Sequence, residues 1–292
     1  ITLANPDNSF GGVVALSGKD VSIVDKTALT LGAVTTTGNL SATGTGGLSF
    51  GTTSVGGTLS ATSGNGAITQ IGALTVTGTS ALNAGTGDIT LTSAANNFAG
   101  AVSSSGANVS LTDGTGGLVL GATNATGTLS VTSTGGAITQ ATPYTSSNAI
   151  TTGGAASFTA TSGANAADIT LANPDNSFGG VVALSGKDVS IVDKTALTLG
   201  AVTTTGNLNA TGTGGLSFGA TSVGGALSAT SGNGAITQSG ALAVTGTSAL
   251  NAGTGDITLN NATNNFAGAV SSSGANVSLT DGTGALVLGA TN

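Results

Sequence analysis

The sequence predicts an all-β protein, a parallel β-solenoid of about 20-residue coils, on three observations. Apolar residues alternate with Ser or Thr in short runs such as Leu40-Ser-Ala42 and Leu48-Ser-Phe50, which is the period of a strand with one buried face. Gly or Thr-Gly steps separate the runs, so each is a short strand ending at a corner. The pattern then restarts, with Asn39-Leu-Ser-Ala-Thr43 answered 19 residues later by Thr58-Leu-Ser-Ala-Thr62. A chain with this period and no helical periodicity buries its strand faces by stacking coil on coil.

Taken in order, Ile1/Leu3 opens a strand and Asn5-Pro-Asp-Asn8 a turn, since Pro6 cannot donate to a ladder. Val21 and Ile23 point inward from a strand bracketed by Lys19-Asp20 and Asp25-Lys26, two charge pairs expected at solvated corners. Leu29/Leu31 begins the next face, then come Leu40/Ala42, Leu48/Phe50 and Val55, Leu59/Ala61, Ile68, Leu74/Val76 and Leu82. At Ile89 the opening returns in looser form, Ile89/Leu91, Phe98, Val102, Val109/Leu111, Asp113 and Leu118/Leu120 answering Ile1/Leu3, Phe10, Val14, Val21/Ile23, Asp25 and Leu29/Leu31. The rhythm fails between Ala141 and Gly154, where Pro143-Tyr144-Thr-Ser-Ser-Asn148 holds the only tyrosine; this reads as a loop or enlarged coil projecting from the rod.

Residues 169–292 repeat residues 1–124 at an offset of 168 with nine differences. One continuous solenoid is therefore expected, with a first long unit over 1–168, in halves 1–88 and 89–168, and a second, truncated unit over 169–292. Eight of the nine differences exchange small residues, mostly at positions expected to face outward, and only Ile71 against Ser239 changes a bulky one. Free variation among small outward residues argues against any of them being a unique catalytic group. At about 4.8 Å per coil, 14 or 15 coils give a rod on the order of 70 Å long.

Composition narrows function further. Only 5% of residues are charged, against roughly one quarter in ordinary globular domains. Arg, Glu, His, Cys, Met and Trp are absent, and a net charge of -7 leaves only Lys19, Lys26, Lys187 and Lys194 as cations. Nucleic acid is not an expected partner, because no basic patch exists to neutralise phosphates. No apolar run reaches the length of a membrane span, so no membrane insertion is expected. The chain opens mid-strand with no signal peptide, as a stretch of a longer chain would.

Motifs for chemistry are weak. Gly85-Thr-Gly-Asp88 is one position off the calcium-binding nonapeptide and is not tandem, so Asp88 is expected as a solvated corner residue. Gly18-Lys19 has Val13 and Asp20 where a phosphate loop needs Gly and Ser or Thr. Asp20 and Asp25 lie at opposite ends of one strand with no aromatic platform nearby, unlike the paired carboxylates of glycosidases. With no His, Cys, Arg or Glu for acid–base work, no enzyme, cofactor or metal site is expected. Gln70, Gln140 and Gln238 recur in Ala-Ile-Thr-Gln; the amide either turns inward to satisfy corner backbone or stands exposed.

The runs Asp88-Ile-Thr-Leu91, Asn96-Asn-Phe98, Gly-Ala-Ile-Thr-Gln70, Leu29-Thr-Leu-Gly-Ala-Val34 and Gly38-Asn-Leu-Ser-Ala-Thr43 resemble the repeat regions of large bacterial exoproteins similar to filamentous haemagglutinin. The resemblance spans essentially the whole chain and implies a right-handed parallel β-helix, secretion to the exterior or cell surface, and service as an adhesin or biofilm fibre. It carries no functional residue to transfer, and Asn5-Pro-Asp-Asn8 departs from the Asn-Pro-Asn signature of that family's secretion domain. The resulting expectation is a structural shaft of a secreted adhesin or surface filament, with a host or matrix surface as partner and Pro143, Tyr144 and Asn148 as its contact loop. One alternative is a sheath or layer protein that associates end to end through free strand edges. The other is an ice-binding solenoid, against which Thr75 and Thr92 become Ala243 and Asn260 in the second copy.

Overall fold

A computed structural model describes all 292 residues. It is an all-β solenoid of about 14 turns spaced roughly 20 residues apart, as the sequence predicts. Its strands form two sheets of 17 and 21, and the sole helical piece is one 3-10 turn, Ser146–Asn148. Leu40 lies opposite Val21 on one side and Leu59 on the other, 19 residues away each time, so side chains of one kind stack in columns. Leu40, Leu59 and Leu208 are all buried in the single apolar core that runs through the rod. All nine differing positions of the two copies lie at exposed or half-buried sites, which explains why the core pattern is untouched by them. Corners are tight enough that Gly47 and Gly215 both adopt φ near +142°, which L side chains rarely reach.

In the first half a coil has three strands. One column holds Val21–Asp25, Leu40–Gly44 and Leu59–Ser63; the second passes from Leu29 through Leu48, Ile68 and Ile89; the third from Val34 through Thr53 and Leu74. The third column stops at Asn97–Phe98, which pairs only with Thr75–Val76. Val102–Gly106 is then continued by both parts of the long strand Leu118–Ala125: Val102 faces Leu120, and Ser104–Gly106 face Thr123–Ala125 after a register shift. One column ends and another divides, so the triangular coil is restored.

This changes the column of every equivalent strand. Val109–Asp113, the counterpart of Val21–Asp25, stacks on Ile89–Leu91 in the column that Leu29 began. Val189–Asp193 in turn stacks on Ile169–Leu171, Ile138 and Leu118, the column begun by the counterpart of Leu29–Leu31. Each half thus carries its pattern one column around the rod. The same register shift recurs at Val14/Leu16, Val182/Leu184 and Val270/Ser272.

The enlarged coil is where the sequence places it, since Leu129 pairs with Ala156 and Ile138 with Ile169 across wider gaps than elsewhere. A second protrusion has no counterpart in the sequence reading. Thr161–Ser162 and Asn165–Ala166 form the only antiparallel strand pair, a hairpin turning at Gly163 with φ +61°.

Candidate functional site

The predicted contact loop is a built structure. Asn148 donates from Nδ2 to the Pro143 carbonyl at 3.0 Å, Asn173 donates to the Thr145 carbonyl at 2.9 Å, and Gln140 donates to the Asn148 carbonyl at 3.4 Å. Pro143 and Asn148 are thereby joined, while Tyr144 between them is 38% exposed. Ser146 and Ala149 border a shallow groove of about 380 Å³ on the neighbouring sheet face, floored by Thr62, Asn83, Ser105 and Asn124. The same groove recurs in the second copy, at about 430 Å³, with Thr230, Asn251, Ser273 and Asn292. Hydroxyls and amides line both, so they offer neutral hydrogen bonding without a charged or aromatic anchor.

The polar residues held most firmly lie at the column ends. Asp25, expected as a solvated partner of Lys26, is fully buried, and no ion pair joins it to that lysine. Its carboxylate accepts the backbone N–H of Phe10 at 2.9 Å and the N–H and hydroxyl of Thr27 at 2.8 and 2.7 Å. The reason is topological: Phe10 itself lies in no strand, but at its counterparts Phe98, Phe178 and Phe266 a strand ends with no coil beyond it to receive its donors, and a carboxylate does so instead. Asp113, Asp193 and Asp281 do the same for Phe98, Phe178 and Phe266. Burial pushes the Asp25 carboxyl up, but the N–H and hydroxyl of Thr27 and the N–H of Phe10 outweigh it and hold it below the ordinary value. At Asp113 burial prevails over the N–H groups of Phe98, Thr115 and Gly114, and the carboxyl is raised.

The recurring glutamines turn inward. Gln70 and Asn96 exchange two amide hydrogen bonds, at 2.8 and 2.9 Å, and Asn96 also accepts the N–H of Leu74. Gln140 with Asn176 and Gln238 with Asn264 repeat the pair. Asp88 is exposed, and its carboxylate takes the N–H and amide of Asn108, one rung of a corner ladder that continues to Thr128. Asp20, Asn39 and Thr58 form another such ladder. At the junction of the two units the ladder stacks Asp168 on Asp188, and Lys187 lies 3.9 and 3.2 Å from them. The Asp188 bond and both carboxylate charges raise the Lys187 ammonium above its ordinary range, while the Asn207 N–H and Lys187 lower Asp188. Outward threonines form no continuous file: Thr75 lies between Ser54 and Asn97, and Thr90 between Thr69 and Ser110.

A family model described as repeats of unknown function, DUF5649, matches residues 18–49, 44–105, 106–185, 186–217 and 211–273. The chain belongs to that family. The DUF5649 matches at 18–49 and 186–217 stand 168 residues apart, the offset of the two copies. No curated protein and no solved structure matches the chain.

Proposed function

We propose that this DUF5649 chain is a shaft segment of a secreted bacterial adhesin or surface filament, extending a rod from the cell. The observation that carries the reading is the uninterrupted core of stacked coils under faces of Ser, Thr and Asn, a form that supplies length and stiffness. Binding hot spots favour Tyr, Trp and Arg, so the loop bearing Tyr144 is the place in this segment where a host or matrix surface would be touched. Antibody raised against the rod should label intact producing cells along projecting fibres; labelling only after permeabilisation overturns the reading. Adherence of rod-coated beads to matrix, reduced by Tyr144→Ala without a change in Tm, would assign contact to the loop. Equal adherence of both bead types would leave the segment a pure spacer.

A further inference from the structure

We infer that Asn65 and Asn233 are sites of spontaneous covalent modification, where the side-chain amide is lost through a cyclic imide to give aspartate and isoaspartate. They are the only Asn-Gly steps in the chain and occupy equivalent positions in the two copies. They are also the only residues other than glycine with a left-handed backbone, φ 101° and 85°. Such a conformation is strained for a residue with a side chain and marks a site for a functional hypothesis.

Several conditions that favour the ring closure are met there. The following residue has no side chain to obstruct attack, and the Gly66 N–H donates to no protein acceptor. The Asn65 amide nitrogen, the leaving group, is bound to nothing in the protein, and the residue is exposed. Its carbonyl oxygen accepts the N–H of Thr86 at 3.1 Å, as Asn233 accepts that of Thr254 at 3.1 Å. That donor faces the oxygen on which negative charge develops.

The step balances with water alone. The Gly66 nitrogen gives its proton to solvent base and attacks Cγ; the C–N bond forms, the Cγ–Nδ2 bond breaks, and ammonia leaves with a proton. Water then opens the imide at either carbonyl. Opening at the backbone side inserts a methylene into the main chain and releases the left-handed backbone. Either product adds a negative charge to the corner.

Other asparagines lack one or more of these conditions. Asn96, Asn176 and Asn264 are buried, with their amide nitrogens donating to main-chain carbonyls. Asn39, Asn108 and Asn207 are exposed, but the N–H that would attack, on Leu40, Val109 and Leu208, is committed to the next coil.

The test is incubation of the folded rod above neutral pH, followed by peptide mapping and an isoaspartate-specific methyl-transfer assay. Asn65 and Asn233 should convert ahead of every other asparagine, and Asn65→Ser should remove the first signal while leaving Asn233 as internal reference. If both asparagines persist in the rod over a period in which the urea-denatured chain converts, the fold protects them and the inference fails. Conversion spread evenly over all asparagines overturns it equally.

Discussion

Asp193 and Asp113 end equivalent strands one half-unit apart, yet they are satisfied differently. Asp193 receives the Phe178 N–H on one oxygen and the N–H and hydroxyl of Thr195 on the other. Asp113 receives the Phe98 N–H on Oδ1, and its Oδ2 is buried without a partner. The turn of the preceding coil explains the contrast. Where that turn is Asn173-Pro-Asp-Asn176, the residue after the aspartate is Lys194, exposed. Where it is Ser93-Ala-Ala-Asn96, a Cβ after the aspartate would lie 1.8 Å from the Ala94 carbonyl oxygen, and the residue is Gly114. Asp281 and Gly282 follow the second pattern, with the Ala262 carbonyl at 2.0 Å. A topological demand fixes the aspartate, and a local turn then sets how well the aspartate is satisfied.

The contrast is broken most severely by removing the carboxylates. Asp193→Ala strands the buried Phe178 N–H and loses two part-buried bonds to the exposed Thr195, and should cost about 2 kcal/mol or more. Asp113→Ala strands the one direct donor and removes an oxygen that already lacks a partner, so about 1 kcal/mol is expected. Chemical denaturation of the two variants measures the difference, and equal losses would mean that the unpartnered oxygen carries no cost.

Next comes the turn itself. Gly114→Ala drives a methyl group into the Ala94 carbonyl and should cost about 2 kcal/mol, in the range of overpacked sites. Lys194→Gly removes an exposed side chain and should cost less than about 1 kcal/mol, through backbone entropy alone. The Tm of the two variants orders them; the reverse order would refute the turn argument.

The titrations should run in opposite directions. Asp25 has its folded pKa below 3.8, so its stabilisation is complete above 3.8 and drains as pH falls through the folded value. Asp113 is raised, so its charge is a cost that is whole at neutral pH and is relieved between its raised value and 3.8. Relative to Asp113→Asn, the parent rod should gain stability as pH drops from neutral toward 3.8; relative to Asp25→Asn it should lose stability only below that. Denaturant midpoints across that range give both slopes, and slopes of one sign would dissolve the distinction.

The columns were legible in advance because side-chain period and corner spacing survive in every copy, from Leu40 to Leu208. The column-end aspartates were not. Asp25 beside Lys26 looks like a surface pair, and nothing local shows that the main chain at Phe10 and its counterparts lacks a neighbouring coil. A signal existed in the constant spacing of 15 residues from Phe10, Phe98, Phe178 and Phe266 to Asp25, Asp113, Asp193 and Asp281. The exchange of columns left no mark at all, since a strand of period two reads the same in any of them. The hairpin at Gly163 was hidden for a different reason, its Ser-Gly-Ala-Asn being indistinguishable from the corners around it.

The smallest expected effect tests the comparison of the two long copies. Ile71 is 81% exposed in the first, and its counterpart Ser239 is exposed in the second, where the hydroxyl reaches only the Phe218 carbonyl at 3.5 Å. The Ile71 N–H makes the same ladder bond to Phe50 that Ser239 makes to Phe218, both at 2.7 Å, so the main chain is indifferent to the side chain. Ile71→Ser should therefore change stability by no more than about 0.5 kcal/mol in either direction. A loss several times larger, read by denaturant titration, would show that this corner buries apolar surface against something. The coils would then not be the independent, interchangeable outer surface that their nine differences imply.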